Sequence, residues 1–240
     1  MNTNKPLAEI VQNYFEDNNL IDIKGTFLEA GAFDGIYQSN TLFLEKYGWK
    51  GVLVEPSFEN YLKCLINRPN TISVNSALVS PEDYKNSKII IGDFDSDIMS
   101  SISAKRRSEM RKRKYKRTVN KFKLPMTYLI DYFKQRSKVE NNLSANAITL
   151  STLLEYLDIE NIDFLSLDVE GYEFEVLNGI DFTKHKPKIV LIEIYNSQFE
   201  SIRNLLDSVG YSKPINLTNF SFDKNPNWDG THNDYLFLLK

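Results

Sequence analysis

The chain offers almost nothing from which to build a covalent staple or a metal cage. It has a single cysteine, Cys64, in 240 residues. No disulfide framework or Cys-rich zinc site can therefore form within one chain. Its two histidines, His185 and His232, exclude a His-rich metal centre. No apolar run approaches the ~20 residues of a membrane-spanning helix. The N-terminal stretch MNTNKPLAEIVQNYFEDN is too polar for a secretory signal peptide, so the expected compartment is the cytoplasm. Glycine is sparse, and no GxGxxG occurs. The usual pyrophosphate-binding fingerprint of dinucleotide folds is thus missing.

What remains is an ordinary globular composition, 42% hydrophobic and 12% aromatic, in a chain large enough to bury a core without staples. The net charge of −3 conceals a strong segregation. Between Lys105 and Lys123 lie eleven of the 29 cationic side chains and one of the 32 anionic ones, Glu109, so this block carries +10 and the remainder −13. An acidic body with a basic arm points to a polyanionic partner, or to an arm that docks on the body.

Hydrophobic periodicity gives the organisation. Leu7, Ile10, Val11 and Tyr14 predict a helix over 6–17. Strands are expected at 26–30, 52–55 and 71–75, with helices at 39–47 and 58–66. The pattern breaks over 82–147. A strand at 88–91 is followed by a loop at 92–101, the basic arm at 104–123, and a polar loop at 138–147. Alternation resumes with helices at 151–157, 171–177 and 197–209, and strands at 162–167, 189–194 and 235–239. Strand–helix alternation implies parallel strands joined by right-handed crossovers. The expected fold is α/β, a doubly wound, mostly parallel Rossmann-like sheet. One domain, 1–240, carries an insertion at 82–147.

The most informative stretch is FLEAGAFDG at 27–35. An apolar run ends in Glu29, and a turn with Gly31, Asp34 and Gly35 follows. The next strand, in GVLVEPS, ends in Glu55, where a carboxylate can accept from both hydroxyls of a ribose diol. Glu29 and Asp34 in the first turn would repel a pyrophosphate but suit an amine-bearing ligand. S-adenosylmethionine (SAM) offers an ammonium, a sulfonium and a ribose diol. On this reading the Gly31 backbone approaches the methionine part of SAM, and Glu29 or Asp34 orients its ammonium. Ser76 and Ala77, after the third strand, flank the adenine. The alternative is an ordinary turn with solvated acids.

Two further blocks follow, DFLSLDVEGYEFEVLNG at 163–179 and PKIVLIEIY at 187–195. The ordered set of four resembles the FkbM-type family of SAM-dependent methyltransferases, from about residue 25 to the C-terminus. The resemblance implies a last strand inserted antiparallel into the sheet. It also implies methyl transfer to hydroxyl oxygens of sugars and natural products. A serine pair such as Ser100 and Ser101, near Asp97, is similar to the family as well. It either lines the substrate mouth or belongs to a polar loop.

Acids at strand tips near a topological switch face the ligand crevice. Asp168 and Glu170 follow the buried run 164–167, and Glu193 ends the next strand. The three could deprotonate a hydroxyl nucleophile. Alternatively they could hold a divalent cation, Mg or Mn, through oxygen ligands. His232 is a candidate general base. Glu173 and Glu175 read as a solvated helix face, His185 as a surface loop residue, and Cys64 as a buried structural thiol. Trp49 is expected to pack a helix end. Trp228 either stacks on a substrate ring or sits in a polar loop.

Three acceptor and function classes stay open. The first is a hydroxyl-bearing sugar, glycan or small molecule. The second is an RNA ribose 2′-hydroxyl reached with the basic arm. The third is a non-catalytic binding protein that keeps the fold. The arm itself suggests an anionic acceptor, such as a phosphorylated glycan, a nucleotide conjugate or RNA. A nicotinamide-dependent oxidoreductase is disfavoured by the missing glycine fingerprint.

Overall fold

A computed structural model describes residues 6–91, 144–223, 225 and 230–240. In chain order the strands are β1 (Thr26–Ala30), β2 (Lys50–Val54), β3 (Ile72–Val74), β4 (Ala77–Leu78), β5 (Ile89–Ile91), β6 (Ser144–Ile148), β7 (Phe164–Leu167), β8 (Ile189–Tyr195), β9 (Ile215–Asn216) and β10 (His232–Leu238). The helices are α1 (Leu7–Asp17), α2 (Leu42–Lys46), α3 (Phe58–Asn67), α4 (Pro81–Asn86), α5 (Leu150–Tyr156), α6 (Glu173–Asn178) and α7 (Phe199–Ser208).

Among the described residues, seven strands form one sheet in the order β3-β2-β1-β7-β8-β10-β9. β10 runs antiparallel to both of its neighbours, and the other pairings are parallel. This is the sheet the family resemblance implies. The chain winds outward from β1 to β3, then returns to lay β7 against the other edge of β1. The switch point therefore lies between β1 and β7, and doubly wound sheets bind their ligands outside the strand tips at such a point.

Parallel strands covered on both faces should be apolar on both, and β1 and β7 are buried almost end to end. Successive side chains point to opposite faces. Phe27, Leu53, Phe164 and Leu191 pack with Val11 and Phe15 of α1, Phe43 and Leu44 of α2, and Cys64 of α3. Leu28, Val52, Leu165 and Val190 pack on the other face with Leu153, Val176 and Ile202 of α5, α6 and α7. Trp49 is buried against Phe15, and its indole N–H donates to the Ile21 carbonyl at 3.0 Å.

A second, three-stranded sheet has the order β4-β6-β5. β6 pairs parallel with β4 and antiparallel with β5, so both ends of the 82–147 stretch meet there. The polarity of 138–147 predicts a loop, whereas Ser144–Ile148 is a strand. Its serine, asparagine and alanines carry little strand signal, and pairing on both edges makes the strand. β4 and β9 are two residues each, too short for periodicity to register. The last strand begins at His232, three residues before the expected start. The basic arm, Asp97, Ser100, Ser101 and Trp228 lie outside the described residues. Among the described residues no helix is long and apolar enough to cross a membrane.

Candidate active site

The tips of β1 and β7 touch. Asp168 N–H donates to the Ala30 carbonyl at 3.1 Å. Gly31 has φ +81, and a Cβ there would lie 1.8 Å from the Asp168 carbonyl oxygen. Glycine is thus required at 31 by the neighbouring strand as well as by its left-handed backbone. Gly31 and Ala32 N–H groups both donate to the Val54 carbonyl, which seats the turn on β2.

Strand parity decides what Glu29 meets. It shares a face with Phe27, so it points toward α2 and α3. Its Oε1 accepts from Asn40 N–H at 2.8 Å. Its Oε2 accepts from Ser39 Oγ at 2.7 Å, Thr41 Oγ1 at 2.6 Å and Arg68 Nη1 at 3.2 Å. The carboxylate expected to orient a ligand ammonium is thus surrounded by groups of its own chain. Asp34 closes its own turn, its Oδ1 accepting from Ile36 and Tyr37 N–H at 2.9 and 2.7 Å. Gly35 is buried beneath it with φ +80, and a Cβ there would lie 3.2 Å from Arg68 Cδ.

Glu55 stands just beyond β2, buried. Its two oxygens accept from Phe33 N–H at 2.9 Å and Ser57 N–H at 2.8 Å. Burial pushes its carboxyl up to about 8, against the lowering effect of those N–H groups and of Lys63. Each oxygen keeps a second lone pair for a further donor. Asn75, beyond β3, ties its amide to the Glu55 and Pro56 carbonyls at 2.9 and 3.0 Å. Ser76 follows, buried beside it.

The remaining acids gather along the same edge of the sheet. Asp168 is exposed at the β7 tip. Glu170 is buried, with φ +58, and accepts from Tyr195 Oη at 3.3 Å. Glu173 is fully buried beneath the turn, where one oxygen accepts from both Val169 and Gly171 N–H at 3.0 Å. Burial pushes it up to about 7. Antiparallel register sets Glu193 directly opposite Asp234, and Tyr195 opposite His232. His232 Nε2 lies 3.2 Å from Glu193 Oε1, and its Nδ1 lies 3.0 Å from Thr231 Oγ1. Burial, then the charges of Asp168, Glu170, Glu173 and Asp234, hold the Glu193 carboxyl well above the usual carboxylate range. Burial also pushes Asp234 up to about 7, with Asp168 adding to it.

The sequence model of the methyltransferase FkbM domain matches residues 29–213. The chain belongs to the FkbM methyltransferase family. It is a SAM-dependent methyltransferase, with a mostly parallel α/β sheet to match. In overall shape the methyltransferase is similar to a ribosomal protein L11 methylase from Lactobacillus delbrueckii subsp. bulgaricus. Sequence identity is 9%, 97% of this chain and 78% of that one are covered, and the TM-score is 0.46. It is also similar to a fibrillarin pre-rRNA processing protein from Methanococcus jannaschii (13% identity, 91% and 68% covered, TM-score 0.44). A third similar structure is a TehB-like SAM-dependent methyltransferase from Corynebacterium glutamicum (11% identity, 96% and 98% covered, TM-score 0.40). With TM-scores this low, these likenesses add nothing to the family assignment. Among curated proteins none matches the chain.

The methyltransferase has donors and acceptors suited to SAM. Glu55, a buried carboxyl with spare lone pairs at the tip of β2, could accept from a ribose diol, and the acidic side chains along the same edge could face a sulfonium or an ammonium. A divalent cation fits less well. Among the described residues no group of three or more His, Cys, Asp or Glu side chains is placed to hold a metal ion. Asp168, Glu170 and Glu193 share an edge but not a cage.

Two expectations are corrected by burial. Glu173 is not on a solvated helix face, because the turn 168–171 folds over it. His185 is not a surface residue. It is 7% exposed, with Nδ1 toward the Glu160 carbonyl. The sequence reading also missed Arg68, Asn75 and the pairing of Asp234 with Glu193. Helical spacing of Cys64 and Arg68 could have flagged the first, since i and i+4 share a face. Alternation along HNDYLFL could have put Asp234 on the face of Leu236.

Proposed function

We propose that this methyltransferase moves the methyl group of SAM onto a hydroxyl oxygen of a sugar, glycan or other small acceptor. The observation that carries the reading is the His232–Glu193 pair at 3.2 Å, on the same edge as the β1–β7 switch point. A hydroxyl is a weak nucleophile until a base receives its proton. His232 faces Glu193 with Nε2 and the Thr231 hydroxyl with Nδ1, so an acceptor hydroxyl that displaced Thr231 could pass its proton to Nδ1. When bound, SAM supplies an electrophilic methyl group on a sulfonium with a neutral thioether as leaving group. Glu55 would accept the ribose hydroxyls, Ser76 would border the adenine, and the 31–35 turn with Asp34 would receive the methionine end. Asp168 and Glu170 would orient the acceptor hydroxyls. As the acceptor oxygen took the methyl group and the sulfur left as the thioether, the hydroxyl proton would pass to His232. No step is assigned to a divalent cation.

Methyl-labelled SAM and a panel of sugars, glycans and small hydroxyl compounds test the reading by mass spectrometry. A methyl ether is expected as product. His232→Ala and Glu193→Gln should each lower turnover by on the order of 10²-fold, the scale of general-base contributions, and leave SAM affinity little changed. An N-methyl or C-methyl product would overturn the hydroxyl assignment. An RNA acceptor is supported by the basic arm alone, which lies outside the described residues.

A further inference from the structure

The loop joining β1 to α2 carries left-handed backbone at Gly31, Phe33, Gly35 and Gln38, with φ of 81, 50, 80 and 57. Two of these are not glycine, so the conformation must be imposed from outside. The groups that impose it come from one end of α3. The Cys64 thiol donates to the Phe33 carbonyl at 3.2 Å, the Asn67 amide to the Asp34 carbonyl at 2.8 Å, and Arg68 Nη1 to the Gly35 carbonyl at 3.5 Å. Residues i, i+3 and i+4 of one helix end thus hold successive carbonyls of the loop. Because each peptide is planar, fixing its carbonyl fixes its N–H as well.

Arg68 does the most. Its side chain is completely buried over the Phe27 ring, 5.2 Å from the centroid. The two N–H groups of Nη1 are shared among the Gly35 carbonyl, Ser39 Oγ at 3.1 Å, Thr41 Oγ1 at 3.0 Å and Glu29 Oε2 at 3.2 Å. Nε pairs with Glu45 of α2 at 2.6 Å. One guanidinium therefore binds the end of β1, both halves of the loop and the following helix. A planar fork with several donors can do this, whereas a lysine ammonium cannot reach all of them.

We propose that Arg68 is a positioning residue for the cofactor: acting through Glu29 and the 33–35 carbonyls, it sets SAM affinity without touching SAM. This rests on the reading that the methionine end of SAM lies at the 31–35 turn. Calorimetry with S-adenosylhomocysteine on the full chain tests it. Wild-type protein should bind. If it does not, the siting of the cofactor fails, and Arg68 loses its role with it. Arg68→Lys keeps the buried charge, should stay folded by circular dichroism, and should raise Kd by about tenfold. Arg68→Met with Glu29→Gln removes both charges together and should weaken binding no more than the stronger of the two single changes, the non-additivity expected of residues acting as one unit. Ile202→Ala, in the core beneath α7, is the control. It should lower Tm and leave Kd unchanged. Unchanged Kd in a folded Arg68→Lys, or weakening by Ile202→Ala equal to that of Arg68→Lys, would make Arg68 a purely structural residue. Additive losses in the double variant would overturn action through Glu29.

Discussion

Glu29 and Glu55 end neighbouring strands, and their partners separate them. Glu29 faces a buried guanidinium and three further donors. Glu55 has two backbone N–H groups, which offset burial only in part. A carboxyl whose folded pKa exceeds its unfolded value binds more protons when folded. Its contribution to stability is complete below its ordinary value and is lost as pH rises through the folded one. That window runs from 4.5 to about 8 for Glu55, from 4.5 to about 7 for Glu173, and from 3.8 to about 7 for Asp234. The ligand-free methyltransferase should therefore melt at higher temperature near pH 5 than near pH 8. Glu55→Gln, which stays neutral throughout, should flatten the slope. Thermal melts across that range check this, and a Tm that rises with pH would refute it. In calorimetry at a pH above about 8, where the carboxyl is ionised, Glu55→Ala should weaken SAM binding by roughly 1–3 kcal/mol, the value of hydrogen bonds to a charged group. Unchanged affinity would remove the ribose assignment.

At the scale of elements, β10 matters most. As an antiparallel strand inserted between β8 and β9, it brings His232 to the C-terminal end of β8, the same edge as the β1–β7 switch point. Parallel pairing would have sent it to the opposite edge. The same register costs something, because Glu193 and Asp234 stand directly opposite each other and like charges there destabilise a sheet. Asp234→Asn should raise Tm at pH 8, where the repulsion is largest. The gain should shrink toward pH 5, where Asp234 is protonated. Differential scanning calorimetry at the two pH values reads the outcome, and an equal gain at both would exclude charge as its cause.

For the molecule as a whole, charge is divided rather than balanced, with +10 in the 105–123 block and −13 elsewhere. Both ends of the stretch that carries this block are tied into the β4-β6-β5 sheet. Tyr172, in the turn between Glu170 and Glu173, donates to Asp83 of α4, which links that small sheet to the acidic edge. An anionic acceptor would be recruited by the block and a neutral one would ignore it. Replacing Arg111, Arg113 and Arg117 with Gln should raise the acceptor KM at low salt and leave SAM affinity alone. Steady-state kinetics across a salt series check this. An unchanged KM with an altered Tm would mark the arm as structural.

The sequence by itself determined the alternation of the longer strands and helices, though not β4, α4, β6 or β9, because hydrophobic period reports local backbone geometry and needs no partner. It also determined the family, through four blocks in order, and placed acids at strand tips through the residues that end each apolar run. Only the tertiary structure decided what those acids meet. Glu29 finds Arg68 across 39 residues because strand parity turns it toward α3. Glu193 meets Asp234 and His232 because of one antiparallel register, and Glu173 is buried because a turn closes over it. Such pairings depend on which segments lie side by side in the folded chain. Local pattern specifies the segments and leaves their register to the packing of the whole.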